Sequence, residues 1–213
     1  YPGGFGGGVL ESLFMEGGFV ESGGTLFFGA HTQAEGFELW KTDGTQNGTI
    51  LVKDIRPGSG DENYYGVVLY RDVLQLTDFD DTVFFTSAES ENDFELWKSD
   101  GTEAGTVRVK DIRPGLEGSY PTHLTVIDNT LFFFAQDGQN YDLWKSDGTE
   151  AGTVLVKDFT AGTIENVPSV HHVVVSEGTL FFVLDDGVHG RELWKSDGTE
   201  AGTFMVADIQ SGG

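Results

Sequence analysis

The sequence predicts an all-β protein, a four-bladed β-propeller built from four repeats of about fifty residues, each with four antiparallel strands. Three observations lead to this prediction. The segment ELWKTDGT or a close variant recurs four times, a pair of phenylalanines precedes each copy, and no segment shows the 3.6-residue apolar period of an amphipathic helix. Every tryptophan of the chain lies in one of these segments, at Trp40, Trp97, Trp144 and Trp194.

Each repeat is predicted to contain four short strands. In the third repeat these are about Leu124–Ile127, Thr130–Gln136, Tyr141–Ser146 and Thr153–Asp158. Asp-Asn or Gly-Gly pairs between the first two strands, and Asp-Gly pairs between the last two, are typical of β-hairpin turns. The repeats span about residues 19–58, 76–115, 124–162 and 173–213, together one propeller domain over 19–213. Residues 1–18 are rich in glycine and form either a flexible lead-in or a strand that helps to close the ring.

The paired phenylalanines favour a propeller over an open sheet. Neighbouring side chains on a strand point to opposite faces, so two consecutive phenylalanines require burial on both faces. A blade packed between two other blades supplies that environment. We therefore expect a closed ring of four blades, with the phenylalanine pairs and the tryptophans between them. A flat or solenoid-like stack is the alternative, because repetition alone does not establish closure.

The composition excludes several classes of partner and cofactor. The chain has 35 acidic and 12 basic residues and a net charge of -23, so its surface repels nucleic acids and anionic membranes. It has no cysteine, which rules out disulfides and Cys-ligated zinc. No apolar run reaches the ~20 residues that a membrane-spanning helix needs. We expect neither a nucleic-acid partner nor membrane insertion.

The repeated segments resemble those of the ELWxxDGT repeat family. SDGTEAGT occurs three times and VKDIRPG twice, and the resemblance covers about residues 19–208. It implies a propeller-like, secreted or surface-attached bacterial protein, with no general activity. We therefore expect an extracellular or cell-surface location, and the start at Tyr1 is interpreted as that of a processed mature chain or a fragment. The copies depart from the family pattern at TSAESENDFELW, which lacks the Asp-Gly pair, and at Ala207, where the other copies have lysine.

The aspartates of the DGT segments have two interpretations. These residues are Asp43, Asp100, Asp147 and Asp197. They are either calcium ligands or turn residues whose carboxylates accept backbone N–H groups beside a glycine with positive φ. The D-x-D-x-D-G spacing of an EF-hand loop is absent, which favours the turn.

A second set of aspartates follows the fourth strand of each repeat, at Asp54, Asp111, Asp158 and Asp208. In a closed propeller they would form a ring, and Arg56 and Arg113 are placed to neutralise two of them. A bound Ca²⁺ at this ring is the alternative. The five histidines share no repeat position, so no zinc site is predicted. We predict no cofactor and no metal site.

The repeated tryptophans and lysines also have two interpretations. The tryptophans either stack on carbohydrate or fill the space between blades, and their presence in every repeat favours the second role. All seven lysines occupy repeat positions. We expect them to pair with repeat carboxylates or to cover apolar surface with their stems.

One connection breaks the repeat. The segment between Asp54 and Leu76 is longer than its equivalents, and it carries the residues that we predict to bind a partner: Asp61, Glu62, Tyr64, Tyr65, Tyr70 and Arg71. Tyrosine offers a large, amphipathic contact area at low entropic cost, which suits binding. The alternative is a loop whose tyrosine rings pack back on the propeller.

No residue set has the asymmetry that catalysis requires. A glycosidase needs two carboxylates in different environments, and 35 acidic residues nominate no pair. The favoured hypothesis is an extracellular, non-enzymatic module that contacts protein or glycan through its loops, including as a subunit of a larger surface assembly. The alternative is a secreted carbohydrate-active enzyme, a hydrolase or lyase, with its site on one propeller face.

Overall fold

A computed structural model describes residues 18–32, 34–58, 74–115, 117–138, 141–159 and 169–209. These residues form four four-stranded sheets, here called blades 1 to 4. Blade 1 contains β1 (Phe19–Ser22), β2 (Thr25–Thr32), β3 (Gly36–Thr42) and β4 (Ile50–Lys53). Blade 2 contains β5 (Leu74–Phe79), β6 (Thr82–Ala88), β7 (Phe94–Ser99) and β8 (Val107–Lys110). Blade 3 contains β9 (Thr122–Ile127), β10 (Thr130–Gln136), β11 (Tyr141–Ser146) and β12 (Val154–Lys157). Blade 4 contains β13 (Ser169–Ser176), β14 (Thr179–Asp185), β15 (Arg191–Ser196) and β16 (Phe204–Ala207).

Each blade is an antiparallel meander whose strands pair in chain order. Contacts between blades run from β1 to β5, from β5 to β9 and from β9 to β13, so the first strand of each blade is innermost and the fourth is outermost. The register repeats as well, because Trp97 stands opposite Phe85 and Trp144 opposite Phe133. The prediction of an all-β fold with four four-stranded blades is confirmed. Within the described ranges, no helix is long and apolar enough to cross a bilayer.

The hydrophobic core lies between the blades. At the junction of blades 1 and 2, Phe27 and Leu39 pack with Phe85 and Trp97. Equivalent residues form the junctions of blades 2 and 3 and of blades 3 and 4. At these three junctions, the first phenylalanine of a pair faces the following blade and the second faces the preceding one. This arrangement follows from the alternation of side chains along a strand.

The four blades form no closed ring among the residues that the structure describes. No core cluster there joins blade 4 to blade 1. Val206 of blade 4 is 44% exposed, whereas its equivalents Val52, Val109 and Val156 are 5–6% exposed. The described residues therefore do not show the closed ring of four that we expected. The sequence pattern requires a neighbour on each face of a blade, but it does not fix the rotation between successive blades, which decides how many blades complete a turn.

Candidate functional face

The meander gives the propeller two faces of different character. The β1–β2 turns and the DGT hairpins between β3 and β4 lie at one end of the blades, here called the DGT face. The β2–β3 loops and the connections between blades lie at the opposite end, here called the connection face. The DGT hairpins have nearly the same sequence in every blade, whereas the loops of the connection face differ from blade to blade.

The aspartate of each DGT hairpin is satisfied within its own turn. In blade 2, Oδ1 of Asp100 accepts hydrogen bonds from the backbone N–H of Thr102 (2.9 Å) and from its hydroxyl (2.7 Å). The same two bonds recur at Asp43, Asp147 and Asp197. Hydrogen bonds from the Thr102 hydroxyl and N–H lower the pKa of Asp100. These contacts are those of a hairpin turn that its own residues stabilise.

The glycines of the hairpin are required by close approach and by backbone conformation. A Cβ at Gly105 would lie 2.1 Å from Oδ1 of Asp100, and Gly101 has a φ of +84°. The hydroxyls of Ser99 and Thr106, both buried, hydrogen-bond to each other at 2.7 Å and close the hairpin. Six of the eight residues of the repeated segment SDGTEAGT, all except the glutamate and the alanine, therefore have a structural role in the turn.

The repeated lysines join successive blades. Nζ of Lys41 donates to the carbonyl of Gly101 in the next blade at 2.7 Å, and Lys98 and Lys145 donate to Gly148 and Gly198 at 2.8 and 2.9 Å. Lys53 donates to the carbonyl of Thr106, also in the next blade. We expected these lysines to pair with repeat carboxylates or to cover apolar surface with their stems. Their ammonium groups donate to carbonyl groups of the next blade's hairpin, while the aspartate there accepts from its own threonine.

The tryptophans lie where blades meet. Trp97 is 2% and Trp144 is 8% exposed, and each packs in the core between two blades. Trp40 and Trp194 are half-buried. The buried pair presents no ring face to solvent, so the carbohydrate-stacking interpretation has no support at Trp97 or Trp144.

Four buried carboxylates organise the connection face, and the sequence analysis did not single them out. They belong to the acidic residue before each Leu-Trp pair: Glu38, Glu95, Asp142 and Glu192, all at most 1% exposed. Each accepts a backbone N–H from the connection that follows its blade, donated by Arg56, Ile112, Phe159 and Ile209 respectively. The sequence did contain a signal for these residues: an acidic residue directly precedes the Leu-Trp pair in all four repeats, next to residues of the core. These carboxylates anchor the start of each connection.

Glu95 accepts hydrogen bonds from three residues of the connection that follows its blade. Besides Ile112, it accepts hydrogen bonds from the N–H groups of Arg113 (3.3 Å) and Ser119 (3.0 Å) and from the Ser119 hydroxyl. Burial raises its pKa, and the hydrogen bonds oppose that rise. Burial also raises the pKa of Asp142 to about 6, with a further contribution from nearby Asp158 and Asp137.

One group of acidic side chains in blade 2 has oxygens close enough to share a cation. Carboxylate oxygens of Asp93, Glu95 and Asp111 lie within 4.8 Å of one another. The guanidinium of Arg108 stands 3.2 Å from Asp93 and 3.8 Å from Asp111. This arginine supplies positive charge where a metal ion would, and Glu95 is occupied by backbone donors. Ion pairs with Arg108 therefore account for the closeness of Asp93 and Asp111 in this group.

The aspartates that follow the fourth strands lie at the rim, because those strands are outermost. They do not line a central channel. Arg113, which was expected to neutralise Asp111, pairs with Glu117, and Arg108 takes its place. Burial raises the pKa of Asp54.

The predicted partner-binding residues of the long connection lie outside the described residues. These are Asp61, Glu62, Tyr64, Tyr65, Tyr70 and Arg71. The described chain leaves β4 at Lys53 and enters β5 at Leu74, whereas β8 ends at Lys110 and β9 begins at Thr122. The longest connection thus begins and ends on the connection face.

The fold is that of a β-propeller resembling the propeller domains of peptidases. The chain is similar to the β-propeller domain of the Trilobed protease from Pyrococcus furiosus, which has an open velcro topology, with 12% identity and a TM-score of 0.55 over 91% of this chain and 55% of that chain. It is also similar to Oligopeptidase B from Leishmania major, with 13% identity and a TM-score of 0.51 over 88% of this chain and 26% of that chain. These likenesses show the fold alone, and the chain spans about half the length of the first. No family model and no curated protein sequence matches it.

Proposed function

We propose that this chain is an extracellular, non-enzymatic interaction module that contacts a protein or a glycan through the loops of its connection face. One observation carries the proposal: the side chains repeated in every blade make contacts within and between blades, whereas the sequence varies on the connection face. Function on a rigid scaffold concentrates in such variable loops.

The anchoring of these loops supports a binding role. The buried carboxylates hold the first residues of each connection through backbone hydrogen bonds, as Glu95 does for Ile112 and Arg113. A loop that is fixed before binding loses less conformational entropy when a partner arrives. The same scaffold would be suited to a place in a larger surface assembly.

The chemistry of the partner follows from charge and residue type. A net charge of -23 disfavours polyanions and suits neutral glycans or proteins with basic surfaces. The long connection adds Tyr64, Tyr65 and Tyr70, residues suited to aromatic contact with either. Membership of the ELWxxDGT repeat family, and with it a bacterial cell-surface location, is part of this proposal and rests on the repeated segments.

Binding to arrays of purified bacterial surface glycans and purified extracellular proteins tests the proposal. We expect a ligand whose binding is lost when Tyr64, Tyr65 and Tyr70 are replaced together by serine. The matched control replaces exposed Glu103 and Glu150 on the DGT face by glutamine, which should leave binding unchanged. Binding lost only in the control would contradict the assignment of the face. Release of reducing sugar from an array glycan would favour the carbohydrate-active enzyme instead.

A further inference from the structure

The two ends of the row of blades carry complementary halves of the interblade junction. The trailing face is the side of blade 4 that bears Phe181, Leu193, Lys195, Val206 and Ile209. The leading face is the side of blade 1 that bears Leu26, Phe28 and Trp40 together with its DGT hairpin. At each internal junction, the residues equivalent to the trailing face of one blade pack on those equivalent to the leading face of the next.

The trailing face has the same apolar residues as an internal junction, but these residues are more exposed to solvent. Ile209 is 76% exposed, whereas its equivalents Ile55, Ile112 and Phe159 are 4–7% exposed. Leu193 and Phe181 are partly exposed, although the equivalent leucines and phenylalanines of blades 1 to 3 are buried. These side chains form a contiguous face whose chemistry is that of the three buried junctions.

The leading face of blade 1 is also less buried than the equivalent faces of blades 2 and 3. Phe28 and Trp40 are half-buried, whereas Phe85 and Trp97 are almost fully buried. At the internal junctions a phenylalanine ring covers the hairpin glycine, as Phe27 does at 3.1 Å from a Cβ placed on Gly101. A Cβ placed on Gly44 would meet nothing within 4 Å. Among the described residues, no ring covers the first hairpin as phenylalanine rings cover the other three.

The charges of the two faces are also complementary. At the internal junctions, Lys41, Lys98 and Lys145 contribute to lowering the pKa of the aspartate in the next hairpin. The equivalent residue of blade 4, Lys195, has its Nζ 4.8 Å from the ring of Phe204 in its own blade. No lysine contributes at Asp43, whose pKa is lowered by Thr45 alone among its neighbours. The contact between a lysine and the hairpin of the next blade occurs at the three internal junctions. Lys195 and the first hairpin are the donor and acceptor sides of the same contact at the two ends of the row.

The extent of one structural match argues against closure of the chain on itself. The chain covers 55% of the propeller domain of the Trilobed protease, so it superposes on about half of a larger propeller. An arc of that kind leaves its two ends apart, and the open part of the turn is comparable in size to the arc itself.

We propose that a second copy of this chain occupies these faces. The trailing face of each copy packs on the leading face of the other, and the two junctions close a ring of eight blades, four from each copy. In each junction, Lys195 donates to the Gly44 carbonyl of the other copy, and Phe181 covers that glycine. Head-to-tail contacts that close in this way produce a finite assembly, not a filament.

Sedimentation equilibrium of the 213-residue chain tests the association. We expect a dimer that dissociates on dilution and strengthens with NaCl, because salt screens the repulsion between two copies of charge -23. The variant Val206→Asp should raise the dissociation constant at least about tenfold, because it places an unpaired charge in the junction. The control Val154→Asp changes a residue of similar exposure (39%) away from both faces and should leave the dimer intact. Lys195→Glu is a second junction variant that replaces a surface side chain and keeps the apolar residues.

A mixing experiment distinguishes the head-to-tail junction from other dimers. Val206→Asp disables the trailing face, and Trp40→Asp disables the leading face. Each variant alone should be monomeric, while their mixture retains one intact junction and should form a heterodimer. Circular dichroism establishes that each variant is folded. A parent that stays monomeric at every concentration, a species larger than a dimer, or a mixture that fails to associate would overturn the proposal.

Discussion

Replacement of Trp97 by alanine measures how much one blade junction contributes to stability. Trp97 is among the largest fully buried side chains of the described residues and packs at the junction of blades 1 and 2 with Phe85, Leu39 and Val52. Its Nε1 has no hydrogen-bond partner in the structure, so the substitution removes apolar burial and no satisfied polar contact. Nζ of Lys53 lies 5.8 Å from the ring centroid and adds a small cation–π attraction.

The expected loss follows from the area of the ring. A buried large aromatic side chain removes about 150–250 Å² from water, which corresponds to about 4–6 kcal/mol at about 25 cal/mol per Å². Measured truncations of buried aromatic residues cost about 3–5 kcal/mol. We therefore expect Trp97→Ala to lower the free energy of unfolding by about 4 kcal/mol. Urea unfolding followed by tyrosine fluorescence and circular dichroism measures this change.

Trp40→Ala is the matched control, because the same repeat position is half-buried in blade 1. We expect a loss of about 1–2 kcal/mol there, in proportion to the smaller area removed from water. Both variants are measured at a dilute concentration, so that association of copies contributes little. Equal losses at the two positions would refute the assignment of the core to the blade junctions, as would a Trp97→Ala midpoint within error of the parent.

Two further predictions concern charge. Because the pKa of Asp142 is raised to about 6 from 3.8, the folded protein holds that proton more tightly than the unfolded chain, so stability should fall as the pH rises between these values. At about 1.4 kcal/mol per pKa unit the fall is at most about 3 kcal/mol, and Asp142→Asn should flatten it in urea unfolding measured across this pH range; an unchanged slope would contradict the assignment. We also expect Ca²⁺, Mg²⁺ and NaCl of matched ionic strength to raise the melting temperature equally after chelation, because the hairpin aspartates are occupied by threonine donors. A rise of several degrees specific to Ca²⁺ would contradict this and point to the group of Asp93, Glu95 and Asp111.

The repeat predicted the blade well because its strongest signals are local. The alternation rule for paired phenylalanines predicted burial on two faces, and Phe84 and Phe85 are buried against different blades. The predicted strands Thr130–Gln136 and Tyr141–Ser146 have the same bounds in the structure. These features depend on residues close in sequence, whose preferences agree with the packing of the blade.

Two features depended on long-range geometry and were not predictable from the pattern. The rotation between blades is set by side-chain packing across each junction, so a four-fold repeat did not establish a closed ring of four. The buried carboxylates were missed because the role of an acidic residue in a core strand depends on the N–H groups that bind it. The donors to Glu95 lie 17 to 24 residues away in sequence.

Two identical segments in different blades show which features depend on the local sequence and which depend on a neighbouring blade. Residues 95–106 and 192–203 have the same twelve letters, ELWKSDGTEAGT. In the first copy Leu96 is buried and Lys98 donates to Gly148. In the second copy Leu193 is partly exposed and Lys195 lies over Phe204. Since the local sequence is the same, the difference arises from the following blade, which among the described residues only the first copy has. The apolar and cationic residues of blade 4 are thus those of a junction, and a blade of this same repeat is the partner that their chemistry fits.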